Sequence, residues 1–304
     1  MIPLGYEALT KDSAWIDLSA RGRLCLTGAD RQKFLNGQVT NNVKDLKVGE
    51  GCYAALASAK GKMNSDLFIF ILPDEILLDF EPGLKEKVIE RLEKYIIADD
   101  VQIVDASGSF KMISVRGPRI SKGLHLSTGI RIVEEAGGDY VASTPRLGML
   151  GLDYFLPVDK AWSSNSPEAS MDAFETARIE SGIPRFGVDM DENTLVPEAI
   201  PDAISYTKGC YIGQEVIARI RTYGQVAKAL RSLRFEAGAG VPNRGEKILH
   251  EGKEVGWITS AVFSPRNERA IALGYVRKEC NQMGTRLKVG EQMAEIYDPA
   301  AGGK

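Results

Sequence analysis

The sequence has little of what the common catalytic kits are built from. It holds two histidines, His125 and His250, and four cysteines, Cys25, Cys52, Cys210 and Cys280. No two cysteines are closer than 27 residues, which excludes a CxxC pair for zinc, haem attachment or dithiol exchange. Neither histidine has a partner at metal-ligand spacing, so no metal centre is expected and the HExxH hydrolases are excluded. Both lie among turn-forming residues and read as surface or loop positions. No GxSxG elbow marks a serine nucleophile, and no GxxxxGK[ST] or GxGxxG run opens a helix to cradle phosphates. The apolar run Leu67–Leu72 stops at six residues, against the ~20 needed to cross a bilayer. The first residues carry no basic or Arg-rich leader pattern, so the expected location is cytoplasmic.

What is present is an ordinary globular composition. Over 304 residues, 38 Lys+Arg stand against 41 Asp+Glu for a net charge of −3, and 44% of residues are hydrophobic. Disorder, collagen-like repeats and disulfide scaffolds are excluded, and the length predicts two or three domains. Strand material runs from Trp15 to Leu26, followed by a short helix over Arg31–Asn36, capped by Asp30 and stopped at Gly37. Cys52–Ala57, Asp66–Leu72 and Ile76–Phe80 read as neighbouring strands. The spacing of Leu84, Val88, Leu92 and Ile96 predicts a helix over 84–96. Strands return at Val101–Val104, Met112–Val115 and Tyr154–Val158. A second helix has Ser166 as its cap, Met171, Phe174 and Ala177 inward, and Gly182 as its end. Residues 183–207 lack periodicity, which in a compact domain points to function or disorder. From Leu230 onward short strands and turns predict a small barrel or sandwich, and residues 300–304 read as a frayed tail. The fold class is α+β, mixed layers followed by a β domain.

Charge is unevenly distributed. Residues 208–234 hold Lys208, Arg219, Arg221, Lys228, Arg231 and Arg234 against the single acid Glu215, a local +5. Residues 184–202 hold Asp189, Asp191, Glu192, Glu198 and Asp202 against Arg185, a local −4. Brought together, the two runs would hold a ligand with an amide or amine edge at one end and a carboxylate tail at the other. The alternative is two solvated charge runs. Within Lys208-Gly209-Cys210-Tyr211-Ile212-Gly213-Gln214-Glu215, Cys210 lies beside a lysine and just before a helix start, a setting that favours thiolate. The other reading is a small buried residue. Tyr211 is open between core packing and contact with a flat ligand.

The run KGCYIGQE at 208–215 resembles the signature of the YgfZ-type folate-binding proteins, relatives of the glycine-cleavage T-protein, an aminomethyltransferase. Gly28-Ala29-Asp30 with Phe34–Asn41, Arg178–Pro184 with Val196-Pro197-Glu198, Gly256–Ala261 and Ala272–Val276 extend the resemblance in order along nearly the whole chain. The resemblance implies three domains around a central cavity, ferredoxin-like α/β layers plus a C-terminal small β-barrel. The implied division is 1–48 with 146–226, then 49–145, then 227–304. It further implies tetrahydrofolate as the ligand, with Glu198 on the pterin's amino–amide edge. Lys208, Tyr211, Arg219 and Arg221 are the other candidate contacts, the arginines facing the glutamyl tail. The implied function is an accessory protein supporting iron–sulfur cluster assembly or repair in client enzymes, with Cys210 as a redox-active or reactive thiol. Nucleic-acid and membrane partners are not expected. Where the T-protein carries an acidic pair in a GGxxDDL-like run, this chain reads Gly61-Lys62-Met63-Asn64-Ser65-Asp66-Leu67. Asp66 therefore stands alone, as a base or merely a strand-turn cap, and the T-protein's version of the 208–215 run has no cysteine. Both departures favour an accessory role. The alternatives are a folate-dependent aminomethyltransferase or demethylase, and a non-catalytic scaffold with a vestigial folate cavity.

Overall fold

The computed structural model describes residues 1–123, 129–135, 139–224 and 226–302; His125 lies outside the described residues. Ten strands form one antiparallel sheet: β1 (Ala14–Asp17), β2 (Gly22–Thr27), β3 (Glu50–Ala57), β4 (Met63–Ile71), β5 (Ile76–Phe80), β6 (Gln102–Asp105), β7 (Phe110–Arg116), β8 (Ile130–Glu135), β9 (Asp139–Thr144) and β10 (Gly151–Pro157). Their spatial order is β1-β7-β10-β9-β8-β3-β4-β5-β2-β6. The apolar run in β4 has a physical reason. Successive strand residues point to opposite faces, and both faces are covered. Phe68 and Phe70 pack on one side with Tyr6, Leu9, Ala173 and Phe174. Leu67, Ile69 and Ile71 pack on the other with Phe34, Leu35, Val88 and Leu92. Helices α1 (Tyr6–Lys11) and α5 (Met171–Glu180) therefore cover one face, and α2 (Arg31–Gln38) and α3 (Lys85–Glu93) the other. The remaining helices are α4 (Pro118–Gly123), α6 (Val196–Ala199) and α7 (Gln214–Tyr223).

Six further strands close into a barrel: β11 (Lys228–Phe235), β12 (Lys247–His250), β13 (Lys253–Ser264), β14 (Arg269–Arg277), β15 (Arg286–Val289) and β16 (Gln292–Tyr297). The expected C-terminal β domain is thus a barrel, with β16 pairing back onto β11. Helix α5 joins it to the sheet: Ile179 packs on Ile271 and Leu273, and the buried Glu180 accepts hydrogen bonds from Tyr6 and Ser264, each at 2.5 Å. Inside the sheet's layer runs a chain of buried charge. Arg116 pairs with Asp153, Arg146 joins Asp153 at 2.8 Å to Asp79 at 2.6 Å, and Arg21 meets Asp79 at 2.9 Å. The two arginines hold Asp153 far below the usual carboxylate range, against the effect of burial.

Several boundaries differ from expectation for identifiable reasons. The 15–26 run is two strands, because the chain turns between Asp17 and Gly22. The first helix runs through Gly37 to Gln38, and the amphipathic helix is shorter, ending at Glu93. Ser170, not Ser166, caps α5, its Oγ accepting from the Ala173 N–H. Ser166 is instead buried against Ser13 at 2.8 Å, and Met171 points outward, 44% exposed. Residues 299–302 form a 3₁₀ turn; of the tail expected to fray, 300–304, residues 303 and 304 lie outside the described residues. Among the described residues, no helix is long and apolar enough to cross a membrane.

Candidate functional site

A cavity of about 330 Å³ opens on the α5 face of the sheet, within the size range of small-molecule sites. Strand alternation decides which side chains reach it. On β4, Asp66 and Phe68 face the cavity, whereas Ser65 is fully buried and donates its hydroxyl to the Asp66 carbonyl at 2.9 Å. The serine at the T-protein's first acidic position therefore has no bearing on the cavity's chemistry. Tyr53 of β3, opposite Phe68 in register, stacks on it at 4.8 Å between ring centroids. The Arg146 guanidinium lies over the Phe68 ring, 4.1 Å from its centroid. The facing walls come from Phe174 and Arg178 of α5, residues 182–185 and residues 199–203.

Asp66 is the unusual group here. It is 6% exposed, its Oδ2 accepts from the Tyr53 hydroxyl at 2.7 Å, and its Oδ1 is buried with no hydrogen-bond donor. Burial, followed by the nearby Glu81 carboxylate, pushes its pKa up to about 6 against the pull of Tyr53 and Arg21. Burial and the neighbouring Asp66 raise the Tyr53 hydroxyl well above its ordinary range, so it remains a donor. Glu81, just past β5, also lines the cavity and pairs with Arg21. The arginines across the cavity are already engaged: Arg178 with Asp189 at 2.6 Å and Arg185 with Glu175 at 2.6 Å. The cavity thus combines apolar and aromatic walls with carboxylates, and the Asp66 Oδ1 among them is buried without a donor among the described residues.

The other expected site residues lie elsewhere. Glu198, in α6, is 4% exposed and spends its Oε2 on the Leu195 N–H at 3.2 Å and the Lys228 ammonium at 2.8 Å. Lys228 also sits 5.2 Å from the Tyr275 ring and 5.9 Å from the Trp257 ring, at a separate cavity between residues 188–194 and the barrel. Lys208 is buried and gives its ammonium to the carbonyls of Asn36, Val39 and Asn41 at 2.6, 2.7 and 2.7 Å. An ammonium has three donors, so none is left for a ligand. Lys208 pins the chain leaving α2, and burial lowers its pKa to about 8. Tyr211 packs with Ala55, Ala57, Met63 and Ile217, which places it in the core. Cys210 is exposed and unpaired by disulfide, so the small-buried-residue reading fails. Its run leads into α7 through Gly213, whose φ of +87° and close approach to the Ser58 carbonyl, 2.4 Å from where a Cβ would stand, admit only glycine.

The expected meeting of acid and bases forms in part: Glu198 pairs with Lys228 at 2.8 Å, and Lys228 shares a cavity with Asp189 and Asp191, but Arg219 and Arg221 take no part in it. Arg219 is exposed on α7 and pairs with Glu215 one turn away at 2.8 Å. Arg221 stacks over Tyr206 at 4.1 Å. Neither lines the Asp66 cavity, and neither does Glu198. Reading the sequence missed Tyr53, Glu81, Arg21 and Arg146. One signal for the cavity was available: Asp66 is an acid placed immediately before a strand segment buried on both faces.

A model of the GCVT N-terminal domain matches residues 5–137. A model of the glycine cleavage T-protein C-terminal barrel domain matches residues 228–296, the span of the closed barrel. A chloroplastic protein of Arabidopsis thaliana bearing the general name of transferase is 30% identical over 301 residues, covering 92% of this chain and 69% of that one. The aminomethyltransferase of Thermosipho melanesiensis is 28% identical over 293 residues, covering 89% and 80%. The crystal structure of glycine cleavage system aminomethyltransferase T from Bartonella henselae shares the fold, with a TM-score of 0.87 at 18% identity over 97% of this chain and 88% of that one.

Proposed function

The chain belongs to the glycine-cleavage T-protein family, and from that premise we propose that it binds a reduced folate, tetrahydrofolate or a derivative, in the Asp66 cavity. The observation that carries this reading is the donor-free Oδ1 of Asp66 inside an apolar, aromatic-walled cavity. A pterin is flat, with apolar faces and an amino–amide edge of N–H donors. Tyr53, Phe68 and Phe174 supply surfaces for the faces, and the Asp66 carboxylate accepts from the edge as a charge-assisted bond. In this reading Asp66 takes the role first expected of Glu198, whose Oε2 is already held by Lys228 and the Leu195 N–H.

The exposed Cys210 supports the accessory role. Lying away from the cavity, it is free to meet iron–sulfur client or assembly proteins while folate is held elsewhere. Glu81 favours a second reading, folate-dependent aminomethyl transfer, because it restores a second carboxylate beside Asp66. Calorimetric titration with tetrahydrofolate tests the common part. The wild-type protein saturates, and Asp66→Ala weakens binding about 10–100-fold, the equivalent of losing one hydrogen bond to a charged group. A wild-type titration without saturable heat rejects folate binding and leaves the vestigial scaffold. Cys210→Ser is expected to bind folate as tightly as wild type while iron–sulfur enzyme activities fall in cells that depend on it. Undiminished activities rule out the thiol role. Production of methylene-tetrahydrofolate from an aminomethylated carrier establishes the transfer reading.

A further inference from the structure

A shallow groove of about 330 Å³ lies between the end of α7, Tyr206 and the start of β11. Two guanidinium groups enter it, Arg221 from the last turn of α7 and Arg231 from β11, over a floor that includes Pro197 and Ile220. The lining contains no carboxylate among the described residues. The other large grooves differ. The Asp66 cavity has Glu81 and Asp202, the Lys228 cavity has Asp189 and Asp191, and the arginine-rich groove beside Glu180 has Glu295 and Asp298.

Among the described residues, neither guanidinium is paired with an acid. Arg231 is partly buried and donates only to main-chain carbonyls, from Nε to Asn281 at 2.9 Å and from Nη1 to Leu230 at 3.0 Å. Burial alone acts on its pKa, lowering it, with no acid to oppose the effect. Arg221 makes a stacking contact with Tyr206 at 4.1 Å and no ion pair. Its place in the last helical turn complements the helix dipole, which accounts for Arg221 but not for Arg231 on a neighbouring strand. A desolvated guanidinium without a counter-charge is costly. Arg231 is in that position, whereas Arg221 is exposed; the spare donors of the two, lining one groove, match the geometry of a planar or tetrahedral oxyanion.

We infer that the Arg221–Arg231 groove is a binding site for an oxyanion, the carboxylate or phosphate group of a small molecule. The inference is independent of the folate reading, since the groove shares no lining residue with the Asp66 cavity. An oxyanion seated between the two arginines receives the unused N–H donors of both and relieves the desolvation of Arg231.

The test uses the full-length protein and two probes, inorganic phosphate and free triglutamate, followed by calorimetry and by NMR of arginine side chains labelled with ¹⁵N. The expected result is saturable binding of at least one probe in the millimolar range or tighter, with the Arg221 and Arg231 Nε–H signals moving together. Arg231→Gln weakens it about tenfold, and Arg221→Gln with Arg231→Gln abolishes it. Arg286→Gln, which disrupts an exposed pair with Glu236 on the barrel, leaves it unchanged. Tighter phosphate binding identifies a phosphate ester as the ligand class; tighter triglutamate binding identifies a carboxylate chain. The NMR arm reads wild-type protein, so it decides even where the double variant folds poorly. No saturable binding of either probe up to about 10 mM, or movement of other arginines in place of these two, overturns the inference.

Discussion

Asp66 and Glu198 are both acids buried in the interior, 6% and 4% exposed, yet their surroundings treat the charge in opposite ways. Glu198 faces an ammonium, that of Lys228, and a main-chain N–H. Asp66 faces another carboxylate, Glu81, with a single hydroxyl donor. The first arrangement satisfies its acid and ties α6 to β11. The second leaves its acid reluctant to ionise, with one buried oxygen lacking a donor, in the wall of the cavity. Burial of an acid therefore does not identify a ligand site; the inventory of donors around it does.

The contrast yields predictions of opposite sign. The largest concerns Lys228→Met, which strands the buried Glu198 charge. It is expected to lower unfolding free energy by about 3 kcal/mol in urea titrations at pH 7, and adding Glu198→Gln should restore much of that loss. A loss below experimental error would mean Glu198 is satisfied without its partner. Asp66→Asn should do the reverse at pH 8. It removes an unwelcome charge and stabilises the fold by up to about 3 kcal/mol, the free energy of moving an acid from 3.8 to about 6. Destabilisation at pH 8 would show that Asp66 is as well served as Glu198. The smallest effect belongs to Glu81→Gln. Removing the like charge lowers the Asp66 midpoint, read by ¹³C NMR of labelled aspartate. In the wild-type protein the folded carboxyl takes up its proton at higher pH than the unfolded one. Its contribution to stability is therefore complete below about pH 4 and is lost as pH rises through about 6. An unmoved midpoint in the variant assigns the whole displacement to burial.

Much of the architecture was legible because it depends on local pattern. Ile76–Phe80 and the start of α7 at Gly213 were readable from a β-rich run after the Pro73-Asp74 turn and from one glycine. The barrel was readable from its rhythm of turns. Capping was less so: Ser166 and Ser170 both stand where a cap is plausible by composition, and only the Ala173 N–H within reach of Ser170 Oγ decides between them. The site was legible in its residue types but not in its pairings. A sum of charges along 184–234 cannot tell that Lys208 is consumed by three carbonyls, that Arg219 turns back to Glu215, or that Lys228 finds Glu198 thirty residues away. Nor could it tell that Arg221 and Arg231 share one groove without an acid. Those outcomes are set by tertiary distance. Strand parity, by contrast, already separates Ser65 from Asp66, and that alternation carries more information about the cavity than the charge balance does.

The interleaved strand order also governs how the molecule comes into being. Trp15 meets its partner Val115 only after the intervening hundred residues exist, and β7 in turn waits for β10. On a ribosome that extends the chain by about 5–20 residues each second, the earliest strand is thus born unpaired and remains so for several seconds. Such distant pairing slows spontaneous refolding.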